Sequence, residues 1–311
     1  MNFIKLIIEA KSTNFKQNMK RLLRKYLGNL LFHKRIISKL RKDYSHLYIN
    51  YLFTQTHFPN KSDFNVWIMW WQGEKNMPDI IRICYNSVLQ NSKGCEVRLI
   101  TEENYNEYVS LPNYIIQKFN NGIIPIAQFS DIIRFALLAQ HGGLWMDATT
   151  LVTNYNLIQL QGKFFTHRFK TRSQSTPTMG RWSITILAGP KNHLFFNLMT
   201  KLLEEYWKKE NFLLKYFLTD YFILLLYTDL PIVRNIIDSV EWSRSNYMLR
   251  DFVNTSFSED KWNEFIKNVH FHTLSRKVEY KATTAKGEET YYGYLLRTLN
   301  NKSNEKNKHT K

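Results

Sequence analysis

The sequence predicts an α/β protein, and two observations carry that expectation. Residues 130–147 join a capped apolar helix, through two glycines, to a short strand that ends in a carboxylate. The 311 residues, 44% hydrophobic and 15% aromatic, are ample for a sizeable core and argue against disorder. Ser130 can accept a hydrogen bond from a first-turn amide and Asp131 sits where the helix dipole favours negative charge, so a helix is expected to start there. Ile132, Ile133, Phe135, Ala136, Leu137, Leu138 and Ala139 make it apolar nearly all round, as a buried helix is. Gly142-Gly143 supply a left-handed exit, and Leu144-Trp145-Met146 follow as strand. Asp131 and Arg134 are three apart on one face, either as an ion pair or as ligand contacts. Asp147 falls where open α/β sheets collect ligands, outside the carboxyl end of a strand. On residue type alone, an Asp in that position is more often a turn former.

The other elements follow along the chain. Residues 1–45 hold twelve Lys/Arg against Glu9 and Asp43, a net +10 of the chain's +17. Lys16, Lys20-Arg21, Arg24-Lys25, Lys34-Arg35, Lys39 and Arg41-Lys42 interleave with Leu22, Leu23, Tyr26, Leu27, Leu30, Leu31, Phe32, Ile36, Ile37 and Leu40. That spacing suits basic amphipathic helices, which either lie on an anionic membrane surface or pack on the main domain with a solvated basic face. No clean run of about twenty apolar residues is present and residues 1–9 are too short and charged for a secretory segment, so a peripheral protein is expected. Phe212 to Leu230 reads as an apolar helix interrupted by Asp220, which is either functional or paired, for instance with Lys215. Val269 to Lys277 reads as a strand and its exit loop, with His270 and His272 sharing a face. They are either edge-strand histidines or metal ligands. Three parts are expected: a basic helical extension (1–55), the α/β domain (56–299) and a polar tail (300–311). Cys84 and Cys95 have neither metal nor disulfide spacing, which fits a reducing compartment, by default the cytoplasm.

Residues 130–147 resemble the donor-site core of glycosyltransferase family 32, in particular its capsular polysaccharide synthesis branch. Val66 to Gly73 resembles that family's first strand and turn, Met77 to Leu89 its following helix, and Arg98 to Asn104 its second strand. Gly180-Arg181-Trp182 with Ile186 to Gly189, Tyr216 to Tyr221, and Tyr292 to Leu296 are similar to downstream blocks, so the likeness spans roughly residues 64–297. The resemblance implies a GT-A fold, a Rossmann-like sheet that holds a nucleoside diphosphate sugar and transfers the sugar with retention of anomeric configuration.

Residue by residue, the resemblance implies that Trp70 and Gln72 lie at the nucleotide, with Trp70 stacking on the base. Asp131, Arg134 and Asp147 lie around the ribose and diphosphate, Asp220 lies toward the sugar or acceptor, and Lys277 balances the diphosphate. The family's Asp-X-Asp pair, which holds a divalent cation, reads Asp147-Ala148-Thr149 here, a form the capsule branch itself resembles. One carboxylate remains as a protein ligand for Mn²⁺ or Mg²⁺, and His272 is a candidate second ligand. Trp182 and Arg181, beside the Ser/Thr-rich stretch 171–178, form either an acceptor wall or an ordinary surface loop.

The partners implied are a nucleotide sugar, UDP-linked, and a glycan acceptor, lipid-linked, in assembly of a bacterial capsular or exopolysaccharide at the inner face of the cell membrane. Two other classes compete. A catalytically silent nucleotide-sugar or glycan binder would explain the missing second Asp. A nucleic-acid-binding protein would explain the charge, but the basic segment lies outside the matched blocks and no nucleic-acid module is present, so no nucleic acid is expected.

Overall fold

Three short apolar segments pairing in parallel make the centre of the fold. The computed structural model describes residues 13–51, 64–171 and 175–300, with side chains from residue 27 onward. In chain order, the first elements are α1 (Thr13–Tyr44), β1 (Asn65–Met69), α2 (Asp79–Gln90), β2 (Glu96–Ile100), α3 (Tyr105–Tyr108) and α4 (Asn113–Asn120). Then come α5 (Ile126–His141), β3 (Gly143–Asp147), β4 (Thr150–Val152), β5 (Phe165–Thr166), β6 (Ile186–Gly189) and α6 (Leu194–Lys209). The last are α7 (Leu218–Asp229), α8 (Pro231–Asp238), α9 (Glu259–Asn268), β7 (Phe271–Thr273) and α10 (Tyr291–Asn300).

The main sheet runs β2-β1-β3-β6-β5. β1 is parallel to both β2 and β3, whereas β6 is antiparallel to β3 and to β5. Alternation along these strands feeds two cores. Val66, Ile68, Leu144, Met146, Ile186 and Ala188 face one, while Trp67, Met69, Trp145 and Leu187 face the other, with α5, α6 and α7. Both faces are covered, so the strands read as nearly continuous apolar runs, which is why they are short and hard to tell from buried helix by pattern alone. β4 and β7 form a separate two-stranded sheet. The expected α/β class, with a parallel-containing central sheet, is observed.

Helix α5 starts five residues earlier than its sequence suggests, capped at Pro125 rather than Ser130. Pro125 precedes it, its ring fixing φ at −64° and its carbonyl accepting the Phe129 amide at 3.0 Å. Ser130 is therefore inside the helix rather than its cap, and Asp131 lies beyond the first turn, where local side chains rather than the dipole stabilise it. The glycine exit is as expected: Gly142 and Gly143 have φ of +72° and +99°. A Cβ on Gly143 would stand 2.3 Å from the Asn65 carbonyl oxygen of β1. Gly143→Ala is thus expected to cost about 3 kcal/mol, from a φ unfavourable to side chains and a backbone clash in the central sheet. Urea unfolding measures it; a loss below about 1 kcal/mol would show that β1 and β3 can separate cheaply.

The basic helix is seated on the domain along one face. Ile36, Ile37, Leu40 and Tyr44, with Tyr48 beyond the helix end, are buried in the core that α7 shares. Arg41 donates to both carboxylate oxygens of Asp229 on α7 (2.8 and 2.6 Å), and the Tyr48 hydroxyl adds a bond of 2.7 Å. His33 Nδ1 lies 2.8 Å from the Tyr221 hydroxyl. Among the described residues, no helix is long and apolar enough to cross a membrane.

Candidate active site

A cavity of about 790 Å³ opens at the carboxyl ends of β1 and β3. The parallel register pairs Met69 with Asp147, so Trp70, one residue past β1, and Asp147, the last of β3, arrive at the same edge. Trp70, Asp131, Arg134, Asp147 and Asp220 all line this cavity. A second cavity of about 530 Å³, bordered by residues of α2, α9 and α10, is lined among the described residues by no acid or histidine; its titratable side chains are Tyr294 and Arg297, the latter bound to Glu289. The acid chemistry is therefore concentrated at the strand ends.

Arg134 organises the acids. From α5 its guanidinium meets Asp131 Oδ1 at 3.0 Å through Nη1 and Asp147 Oδ1 at 2.7 Å through Nη2, and it lies 4.9 Å from the Trp145 ring centroid. Its side chain is only 4% exposed. It thus faces its two carboxylates rather than solvent and holds them in place. Trp145 Nε1 donates a second bond, 2.8 Å, to Asp147 Oδ1. The other Asp147 oxygen has no protein donor among the described residues, and this side chain is 29% exposed. Asp131 Oδ2 accepts from Gln128 Nε2 (3.1 Å) and the Thr219 hydroxyl (2.6 Å). Burial pushes the Asp131 carboxyl up, opposed by Arg134 and Thr219.

Asp220 lies in the first turn of α7, whose helix begins only at Leu218; residues 212–217 form the preceding loop. Trp182 Nε1 donates to Asp220 Oδ1 at 3.0 Å, so the acid is held by an indole and not by Lys215, whose Nζ sits over the Phe32 ring. Burial first, then the charge of Asp131, pushes the Asp220 carboxyl up to about 7. Its unfolded value is near 3.8, so the folded state binds the extra proton between about pH 4 and pH 7, and stability falls as pH rises through that window. Asp220→Asn is expected to remove this slope. Urea denaturation of both proteins at several pH values tests it; superimposable pH profiles would mean that the acid is not held protonated near neutrality.

Three expected site residues are not brought to the cleft. Gln72 lies exposed in the turn after Trp70, its carbonyl taken by Asn76 Nδ2 at 2.7 Å. His272 pairs with Leu151 in the two-stranded sheet, fully buried, with Nε2 2.8 Å from the Thr153 hydroxyl and its ring against Phe265 and Trp262. Burial drives its imidazole down to about 3, so it is neutral, yet it faces packed side chains and not Asp147. Lys277 is exposed in the turn after β7, and it is its neighbour Arg276 that lines the cavity, 6.0 Å from the Trp70 ring centroid. Adjacent residues of a turn project differently, so a one-residue difference in alignment exchanges one cation for the other. Among the described residues no group of three or more His, Cys, Asp or Glu is placed to hold a metal ion.

Sequence reading missed Gln128, Thr219, Tyr247 and Arg276, all in the cavity wall. Gln128 was detectable: it stands three residues before Asp131 on the same helix face. Its Oε1 is buried without a partner, an acceptor left for a ligand hydroxyl or a water. Of the two readings of Trp182 and Arg181, the structure places Trp182 in the cavity lining, whereas the Arg181 guanidinium turns back to the carbonyls of Pro177 and Thr178.

Fold and site together define a class: an α/β protein whose parallel strands deliver a carboxylate–guanidinium cluster to an aromatic-walled cleft. Within that class, the chain belongs to the capsular polysaccharide synthesis protein family, whose model matches residues 14–295. It is 34% identical over 104 residues to the O-glycosyltransferase braB of Annulohypoxylon truncatum, a match covering 30% of this chain and 24% of that protein. The solved PaToxG glycosyltransferase is similar with a TM-score of 0.39 and 16% identity, over 68% of this chain and 84% of that one.

Proposed function

We propose that the protein is a retaining glycosyltransferase that moves a sugar from a nucleotide sugar, UDP-linked, to a lipid-linked glycan during assembly of a surface polysaccharide. The observation that carries the reading is the convergence of Trp70, Asp131, Asp147 and Asp220 on one cleft at the ends of β1 and β3. Family membership and the glycosyltransferase name of the braB relative support it.

In this reading Trp70 offers its ring to the base, and Gln128 Oε1 accepts a ribose hydroxyl. Arg134 works through Asp147, fixing one oxygen so that the other faces the donor. That free oxygen would hold a Mn²⁺ or Mg²⁺ ion, a hard cation suited to a carboxylate oxygen and able to bind through few protein groups. When bound, such an ion offsets charge developing on the leaving diphosphate. Arg276 adds a fixed positive charge on the same side. Asp220, once ionised, accepts a hydrogen bond from a sugar or acceptor hydroxyl. The protein works peripherally at the inner membrane face, reached through residues 1–45.

Isothermal titration with UDP, with and without Mn²⁺, followed by hydrolysis of a panel of nucleotide sugars, tests the reading. Ion-dependent UDP binding with turnover of at least one donor is expected, and NMR of the product anomer checks retention. UDP binding without turnover of any donor, even with glycan acceptors, would favour the silent binder suggested by Asp147-Ala148-Thr149. No binding would overturn both.

A further inference from the structure

Helix α1 has two contrasting faces. His33, Ile36, Ile37, Leu40 and Tyr44 are buried against the domain. The outward face carries the exposed cations Lys34, Arg35, Lys39 and Lys42. Leu27, Leu31 and Phe32 are exposed on that face as well, at 49%, 57% and 44%, and a contiguous apolar patch, unlike scattered single residues, marks an interaction surface. The patch continues into the loop before α7, where Phe212 and Tyr216 are 53% and 72% exposed. Lys215 Nζ, 5.3 Å from the Phe32 ring centroid, ties the two segments, and Tyr216 packs edge-on against Phe217 at 5.2 Å. Leu213, Tyr216 and Phe217 also border the cleft. The exposed apolar surface therefore runs from α1 to the mouth of the candidate active site.

We infer that this patch is a bilayer-docking surface: the apolar side chains of α1 and of residues 212–217 enter the headgroup region of an anionic membrane, and the flanking cations meet lipid phosphates. Interleaved leucines, phenylalanines and lysines are the composition of an interfacial helix. Charge selects the occupant. Residues 1–45 carry a net +10, which attracts an anionic leaflet and repels a second copy presenting the same face. Docking in this way sets the cleft mouth at the lipid surface, where the acceptor's sugar would emerge from its lipid carrier. The inference rests on the proposed peripheral membrane reading, which it extends by naming the residues that insert and the orientation that results.

Co-sedimentation of the full chain with phosphatidylcholine vesicles, with and without phosphatidylglycerol, tests it. The native protein is expected to partition onto anionic vesicles and to lose that binding at high salt. The triple variant Leu31→Ser/Phe32→Ser/Phe212→Ser is expected to bind them at least about tenfold more weakly. So is Lys34→Glu/Arg35→Glu, which leaves the apolar patch in place and guards against a folding defect. None of these residues borders the cleft, so hydrolysis of free donor should be unchanged. Native-like partitioning by both variants, equal binding to neutral vesicles, or concentration-dependent dimerisation without vesicle binding would overturn the inference. The vesicle assay needs no donor, so its failure is separable from failure of the transferase reading, which the UDP titration measures.

Discussion

Asp147→Asn is expected to lower sugar transfer by about 10²–10³-fold, the range seen when one preorganised charge at a developing anion is lost. The amide can still fill the space and keep an oxygen toward Trp145 Nε1, so the fold should survive. What disappears is the charge on the oxygen that faces the cleft, the only protein carboxylate among the described residues that is both at the strand tip and free of donors on one oxygen. UDP titration should show the loss of ion-dependent binding, and initial-rate measurements the drop in turnover. A variant with wild-type kinetics would remove Asp147 from the mechanism, whatever the remaining residues do.

Arg134→Ala is expected to cost the fold about 3–5 kcal/mol, because it removes one partner from a buried ion pair and strands Asp131. Asp131 is 8% exposed, and without Arg134 it keeps only the Gln128 amide and the Thr219 hydroxyl. Adding Asp131→Asn should restore part of the stability, since the stranded charge is then gone. Arg134→Lys should rescue poorly, as an ammonium cannot span two carboxylates with a planar fork. The sign of the pH effect follows. In Arg134→Ala the folded state holds a proton on Asp131 more tightly than the unfolded chain does, so the deficit should shrink as pH falls from 8 toward 5. Chemical denaturation at both pH values measures this; a loss within about 1 kcal/mol at neutral pH would mean that water already solvates the cluster.

The strand tip was the most legible part of the molecule. Asp131, Arg134 and Asp147 lie on one helix and the strand it feeds, joined by two glycines, and short sequence separation leaves few ways to arrange them. Trp70 reached the same edge because β1 pairs with β3 in parallel, a non-local fact that came through family resemblance. The errors have local causes. Helix α5 begins just after a proline rather than after the polar residue that resembled a cap. His272 has the correct strand parity to share a face with His270, but its register against Leu151 turns it toward Trp262 and Phe265. Arg276 and Lys277 are chemically alike neighbours, and only the turn after β7 decides which one reaches the cleft. Thr219 and Trp182 come from chain segments far from Asp131, and no local pattern announces their hydrogen bonds.

The way Arg134 is shared bears on how ligands must enter. With both acids ionised, one guanidinium against Asp131 and Asp147 leaves the cluster at −1, and ionisation of Asp220 above about pH 7 deepens that field. A nucleotide diphosphate arriving alone would meet repulsion, eased only by Arg276 at the rim. In the proposed reading, a cation lodged at Asp147 would raise nucleotide affinity, and thermodynamic reciprocity would require the nucleotide to raise cation affinity by the same factor. The negative cleft would thus disfavour the bare nucleotide while attracting a cation, so the nucleotide would enter with its ion or after it.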